Sequence, residues 1–510
     1  MSECPDLRVC VERQLPDSFS TAHLRSDLRA RTVRGGFLTL ASQGIQFGLQ
    51  SVSTIVLARL LTPGDFGLVA MVTAITGLGQ AFADLGLSEA TIQQEHISHG
   101  QVSALFWLNV AIGAGLSAVT SLSAPALAWF YHEPRLKGIT LLMSLTFLIC
   151  GLRVQHDALL KRQMRFRLIA VRDITSYVFA VPFAILLAWR GAGYWAIVAL
   201  PLTLNLIQMV LSWWMAWWLP GLPTRDARVS SMVVFGGHVA LSYLMINLCR
   251  SADNVLVGWH WGAHPLGLYS KAYNLLMLPV RQLSAPAASV AVPAFSTIQN
   301  DSARFGRYYL RAANLMLWLA TPMFAFLFVA ARPVIVLVLG AQWLSAVPVF
   351  RILAISALAQ LLFELTVWSL VSRGRSRELS KLLVILTPMI VSSFVIGLPF
   401  GIKGVALSGS LAWSAIIPVM LKYAFRGTDL TLRRVGRAIL WPLVLGLAGV
   451  LMGQLSLAVV RADHMVLQLL AVLVGFVTAY IVGALVPIIR GEFRSVGGLV
   501  YEFGFFRRGE

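Results

Sequence analysis

Residues 51–68, SVSTIVLARLLTPGDFGL, and residues 253–268, DNVLVGWHWGAHPLGL, decide how this chain folds. The first stretch carries the outer end of an apolar helix, a tight turn at Pro63-Gly64 and the start of a second helix at Phe66. The second repeats that order 200 residues later, so that Gly67-Leu68 falls on Gly267-Leu268, the only identical dipeptide in the aligned pair. A helix hairpin used twice in one apolar chain points to a duplicated membrane protein.

Composition agrees. Of 510 residues, 57% are hydrophobic and 12% charged, where a soluble protein carries roughly 25% charged residues. A span needs about 20 apolar residues. Spans are expected at roughly 36–58, 66–86, 103–124, 138–153, 171–189, 193–216, 231–262, 266–296, 310–330, 346–371, 380–398, 402–421, 436–459 and 465–489. The fold expected is therefore all-α, with about fourteen transmembrane helices. The first 34 residues are polar, with no signal-peptide core, and read as a cytoplasmic tail. Cys4, Cys10, Cys150 and Cys249 contain no CxxC pair and suggest neither a disulfide framework nor a zinc site.

Lys and Arg set the orientation. With the N-terminus inside, the inner segments hold 30 of the 41 cations and the outer loops 7. Both termini are then cytoplasmic. The net charge of +19 becomes a topology signal and a contact with the anionic leaflet, and nucleic acid drops out as a partner. Trp213, Trp214, Trp217 and Trp218 end the sixth span as an aromatic belt should. The expected organisation is a tail (1–34), an N-lobe (35–218), a C-lobe (219–430), a final helix pair (431–490) and a second cytoplasmic tail (491–510).

Polar residues inside the spans carry the functional signal, because they are costly there unless they face a wet interior or another helix. Thr39, Gln43, Gln46, Gln50 and Ser53 share one face of the first span. Tyr243, Asn247, Arg250 and Asn254 share a face of the seventh, with Asp253 beside them. Thr73, Gln80 and Asp84 fall in the second span. Lys271, Asn274 and Arg281 fall on one face of the eighth, among kinking prolines at Pro279, Pro286 and Pro293. Such stripes either solvate a ligand or glue helices together.

Three cations, Arg250, Lys271 and Arg281, lie in the seventh and eighth spans. An unpaired charge there costs at least roughly 2.5–3.5 kcal/mol. Asp253 can pair with Arg250, but nothing nearby in sequence pairs Lys271 or Arg281. An anionic ligand would balance them, with Arg giving bidentate contacts and Lys a point charge. The competing account has them snorkel or pair with Asp84 or Glu364. Asp253, Glu364 and Asp84 are the candidates for coupling to H⁺ or Na⁺. Arg351 reads as interfacial and His238 as a packed interior histidine.

The segment GGFLTLASQGIQFGLQSVSTIVLARLLTPGDFGLVAMVTAITGLGQAFADLGLSEATIQQ (35–94) resembles the opening of Wzx-type polysaccharide flippases of the multidrug/oligosaccharidyl-lipid/polysaccharide exporter superfamily. FWLNV (106–110), HDALLKRQMRFRLI (156–169) and the region from LPV (278–280) to PAFSTIQND (293–301) are most similar to the colanic-acid-exporter branch. The resemblance covers roughly residues 31–490. It implies two six-helix lobes and a final pair around a V-shaped cavity. It also implies alternating-access transfer of undecaprenyl-diphosphate-linked repeat units across the bacterial inner membrane, for exopolysaccharide, capsule or lipopolysaccharide.

On that reading the chain is not an enzyme, needs no cofactor and acts as a monomer, beside a polymerase or export complex. Gln43, Gln46, Gln50, Tyr243, Asn247, Asn254 and Asn274 would meet sugar hydroxyls, and Arg250, Lys271 and Arg281 the anion. Within the superfamily, a lipid II flippase or a drug antiporter is the alternative, although a cation antiporter should present acids. From another class, a membrane polysaccharide polymerase or ligase stays open, although the short outer loops and the lack of a DxD motif argue against it. A structural partner of a glycan machine is the third class.

Overall fold

The computed structural model describes residues 28–83, 87–94, 97–222, 247–248, 251–299, 301–426, 430–460, 464–487 and 490. It divides the chain into two compact units, Met1–Leu248 and Cys249–Glu510. Among the described residues the regular structure is entirely helical, as expected. Nine stretches among the described residues are long and apolar enough to cross a membrane, and one of them, Arg377–Ala424, contains two successive α-helices. Asp84, Tyr243 and Arg250 lie outside the described residues, as does His238.

The first unit contains α1 (Leu28–Leu60), α2 (Pro63–Ala83), the short α3 (Leu87–Gln93), α4 (His99–Phe130), α5 (Leu136–Arg162), α6 (Phe166–Trp189) and α7 (Tyr194–Ala216). The turn that opens α2 is fixed by its own side chains. The Thr62 backbone N–H and hydroxyl both donate to Asp65 Oδ2, at 3.0 and 2.7 Å, and the Asp65 N–H donates back to Thr62 Oγ1 at 3.3 Å. That is a reciprocal cap with proline at the first helical position. α4 opens on a similar box, Ser98 with Gln101.

α4 packs on α5, α5 on α7, α7 on α6 and α6 on α1. The α4–α5 contact is backbone to backbone: a Cβ on Gly113 would lie 2.6 Å from the Phe147 carbonyl oxygen, and one on Gly151 would lie 2.6 Å from that of Asn109. Small residues permit such approach where lipid supplies no hydrophobic drive between helices.

The second unit contains a helical run over 251–261, then α8 (Ala263–Thr297), α9 (Ser302–Val329) and the short α10 (Ala331–Val338). After these come α11 (Val347–Ser372), α12 (Ser376–Gly397), α13 (Gly401–Ala424), α14 (Leu432–Val460) and α15 (Met465–Leu485). α8 packs on α11, α11 on α13 and α9, α12 on α13, and α14 on both α9 and α15.

The 200-residue offset holds in the backbone. α2 begins at Pro63 and α8 at Ala263, the Phe66 N–H bonds to the Thr62 carbonyl and the Leu266 N–H to the Gly262 carbonyl, and Gly67, Leu68, Gly267 and Leu268 are all buried. The cap itself differs, since Gly262 (φ 79°) has no side chain to donate.

Two expectations change. Residues 153–172, read as an inner loop, are helical up to Arg162 and again from Phe166. The tryptophan cluster is not a uniform belt. Trp214 and Trp217 are exposed, whereas Trp218 is buried and Trp213 stacks on the buried His156 ring at 4.4 Å.

Candidate functional site

In the second unit the polar residues converge across the repeated hairpin. Asp253 is 5% exposed. Its Oδ2 accepts the Tyr269 hydroxyl at 2.9 Å and its Oδ1 accepts the Asn254 N–H at 2.7 Å. Tyr269 stands two turns into α8, opposite Asp253, so the turn at Gly262 brings the two together. One turn on, the Tyr273 hydroxyl donates to Gln360 Oε1 of α11 at 3.2 Å. Asp253, Tyr269, Tyr273, Gln360, Ser356 and Ser410 share the lining of one small cavity, which joins the 251–261 run, α8, α11 and α13. A carboxylate, two phenols and an amide around one space offer oxygen ligands to a small cation or a proton.

The other sequence candidates distribute around this cluster. Lys271 is half-buried on α8 and Glu364 half-buried on α11, one turn from Gln360, and neither is free of partners. Arg281 is exposed, and no ion pair joins it among the described residues. Asn274 is exposed on the same helix, and Asn247 is half-buried. The Asn254 side-chain oxygen is buried without a partner among the described residues. The expected partner of Asp253 was Arg250, which lies outside the described residues. The partner observed is Tyr269.

In the first unit, Gln43 and Gln50 are exposed along α1, while Gln46 is half-buried and donates to Ser42 Oγ at 2.9 Å. Ser53, at the end of that stripe, is buried. The stripe thus divides between open amides and one that bonds within its own helix. Thr73 is exposed on α2.

A second polar centre in this unit is invisible if 153–172 is taken as a loop. Arg172 of α6, 8% exposed in its side chain, pairs with Asp157 of α5 and with the neighbouring Asp173 (2.7 Å), and donates to Ser212 Oγ of α7 at 3.0 Å. Ser212 donates to Asp157 at 2.6 Å, Arg153 lies 3.3 Å from Asp157, and Gln208 bonds to both Arg153 and Asp173. Two cations and two carboxylates balance within one network, so it offers no surplus charge to a ligand. It ties α5, α6 and α7 together. The signal available in sequence was the i, i+4 spacing of Arg153 and Asp157.

Nearby, Arg162 donates to the carbonyls of Thr91 (2.9 Å), within α3, and Gln94 (2.5 Å), just after it. In the second unit Arg373 and Arg375 do the same for Ala424 at the end of α13, at 3.0 and 3.4 Å. Outside the spans, the Arg135 guanidinium holds the Glu133 carboxyl below the usual range in the turn between α4 and α5.

Among the described residues this is an all-helical, multi-pass membrane protein with polar centres inside apolar helices. Its fold resembles that of a lipid II flippase, MurJ, in an inward closed conformation (TM-score 0.70, 13% identity, 88% of this chain and 99% of that one). It also resembles an inward-facing multidrug resistance MATE transporter of the MOP superfamily (TM-score 0.53, 15% identity, 77% and 96%). Residues 56–348 match the family described as polysaccharide biosynthesis protein, and the chain belongs to that family.

Curated relatives include the teichuronic acid biosynthesis protein TuaB of Bacillus subtilis (strain 168), 26% identical over 330 residues, covering 64% of this chain and 68% of that one. They also include the lipopolysaccharide biosynthesis protein WzxC of Escherichia coli (strain K12), at 24%, 65% and 68%. The succinoglycan biosynthesis transport protein ExoT of Rhizobium meliloti (strain 1021) stands at 26%, 63% and 65%.

Proposed function

We propose that this protein carries lipid-linked oligosaccharide repeat units across the bacterial inner membrane by alternating access, with fourteen spans and both termini cytoplasmic. The observation that carries the reading is the family match over residues 56–348. The relatives support it, being named for the biosynthesis or transport of three different polysaccharides. An undecaprenyl diphosphate carrier would supply the anion that Lys271, Arg281 and Arg250 are suited to hold. Gln43 and Gln50, exposed amides on an apolar helix, suit sugar hydroxyls, and Asn274 does so on α8. The cavity bounded by Asp253 and Tyr269 is the place for a coupling H⁺ or Na⁺, with Glu364 and Asp84 as further carboxylates.

The test separates a flippase from a polymerase or ligase. Deleting the gene should trap lipid-linked units on the inner leaflet. Their appearance on the outer leaflet, unpolymerised, would instead favour the polymerase. Arg281→Ala should abolish surface polysaccharide while the protein still inserts to normal levels, and normal polysaccharide in that strain would sink the assignment of this site.

A further inference from the structure

The second unit holds a long apolar groove that none of the cargo candidates touches. α9 and α11 form its floor, and α13 and α14 its walls. Along α14 the lining residues, among them Leu432, Gly436, Ile439, Leu443 and Val450, recur at helical spacing on one face. The cavity holds about 820 Å³. From Leu432 to Val450 it runs for about 27 Å at 1.5 Å per residue, close to the ~30 Å depth of the hydrocarbon layer. Thr321 and Ser414 supply the only hydroxyls in its lining, and Ser414 already donates to the Ser410 carbonyl at 2.8 Å. Neither α1 nor α8, which carry the Gln stripe, Lys271 and Arg281, contributes a residue to it.

The inner end of this groove is basic. Lys422 follows the lining residue Leu421 on α13, and Arg433 and Arg437 follow Leu432 and Gly436 on α14. All three cations are exposed. At 100° per residue Lys422 and Arg433 stand about a quarter-turn from the middle of the lining face and Arg437 about 140° from it, so each rims the groove only through its long flexible side chain. Arg426 lies over the Tyr423 ring at 3.9 Å. The acid described at this end, Glu378, is bound by Arg375 at 2.5 Å. Among the described residues the rim therefore keeps a positive surplus, on the side that the distribution of Lys and Arg assigns to the anionic inner leaflet.

We propose that this groove is a resident site for an anionic diacyl phospholipid, with its phosphate on the rim of Lys422, Arg433 and Arg437 and its chains between α13 and α14. The charge of the rim selects the headgroup. The apolar walls select the chains, which restore the dispersion contacts an unfilled space would forfeit. The groove shares α11 and α13 with the polar cavity but no lining residue with it, and none with the polar faces assigned to cargo, so its occupant is a fixed lipid and not one in transit. The proposal holds whatever the cargo proves to be.

The experiment is thermal unfolding of the purified full-length protein in detergent. It is titrated with phosphatidylglycerol, phosphatidylcholine of the same chains, inorganic phosphate, or a short polyisoprenyl diphosphate. Phosphatidylglycerol should raise the unfolding temperature, while phosphatidylcholine and phosphate should not. Arg433→Gln with Arg437→Gln should raise the concentration needed by about ten-fold or more. A Cβ on Gly436 meets nothing within 4 Å, so Gly436→Phe can direct a ring into the groove and occlude part of it. It should abolish the shift while leaving the lipid-free unfolding temperature and the gel-filtration profile unchanged. If that variant does not purify intact, the double arginine variant decides alone. Equal shifts with both phospholipids, or a full shift in either variant, would overturn the site. A larger shift with the polyisoprenyl diphosphate, competing with phosphatidylglycerol, would make the groove a cargo subsite and overturn it equally.

Discussion

The two units build the same backbone devices and spend charge differently. Both open a helix after a turn 200 residues apart, at Pro63 and Ala263. Both link consecutive helices through a left-handed residue, Met164 (φ 53°) between α5 and α6 and Gly374 (φ 69°) between α11 and α12. The bonds around these residues match: the Arg165 N–H reaches the Leu160 carbonyl, and the Arg375 N–H reaches that of Leu370. Yet the first unit closes its buried charges on themselves, with Arg153 and Arg172 against Asp157 and Asp173. In the second, Asp253 is held by a neutral phenol and a backbone N–H, and Arg281 stands exposed without an ion pair among the described residues. A balanced network stabilises. An unbalanced one is available for a ligand.

That contrast breaks most sharply at Arg172. Arg172→Ala leaves the half-buried Asp157 and Asp173 with one guanidinium fewer, and should destabilise the protein by about 1–3 kcal/mol. The measurement is the unfolding midpoint of the purified variant. A near-normal midpoint would show that the network is not a clamp. In the second unit Asp253→Asn should do the reverse. The amide oxygen can still accept the Tyr269 hydroxyl, but the amide NH2 then faces the Asn254 N–H, so stability should fall by only about 1 kcal/mol. Transport into vesicles should lose its dependence on an H⁺ or Na⁺ gradient. Retained gradient dependence would remove Asp253 from coupling.

The paired turns give a smaller and opposed effect. Gly374→Ala places a Cβ in the left-handed region and should cost about 1 kcal/mol, whereas Met164→Gly should gain somewhat less than that. Equal and negligible changes at both positions would mean that the turns are too loosely held to feel backbone strain.

The smallest effect belongs to Glu133. Arg135 depresses its folded-state pKa, so its contribution is present above the unfolded value and fades as pH falls through the folded one. Glu133→Gln should slightly lower stability at neutral pH and leave it unchanged below the folded pKa, flattening the acid limb of the stability–pH curve, as unfolding at stepped pH would record.

Much of this was legible in sequence because the membrane restricts the menu to helices and cations mark their ends. The span expected at 193–216 forms as Tyr194–Ala216 and that at 346–371 as Val347–Ser372. The hairpin offset was readable from two residues, Gly67 and Leu68. The Arg172 network was not, since hydropathy cannot distinguish a loop rich in Arg from a helix whose Arg residues are paired inside. Arg153, Arg162 and Arg172 fall among the inner-segment cations of 153–172, and each also bonds within the fold. The Asp253–Tyr269 bond was equally hidden, because tyrosine in an apolar helix carries no signal of the acid it will meet.

The glycines at the α4–α5 crossing bear on how the chain is made. Where two backbones touch, as at Gly113 against Phe147 and Gly151 against Asn109, partner recognition needs no third helix. The hairpin should therefore mature as a pair while the ribosome is still extending the chain beyond it. A truncated nascent chain ending after α5 should already cross-link between cysteines placed at 121 and 144, whose native serine hydroxyls lie 2.8 Å apart across the two helices, and its failure to do so would place that pairing late in biogenesis.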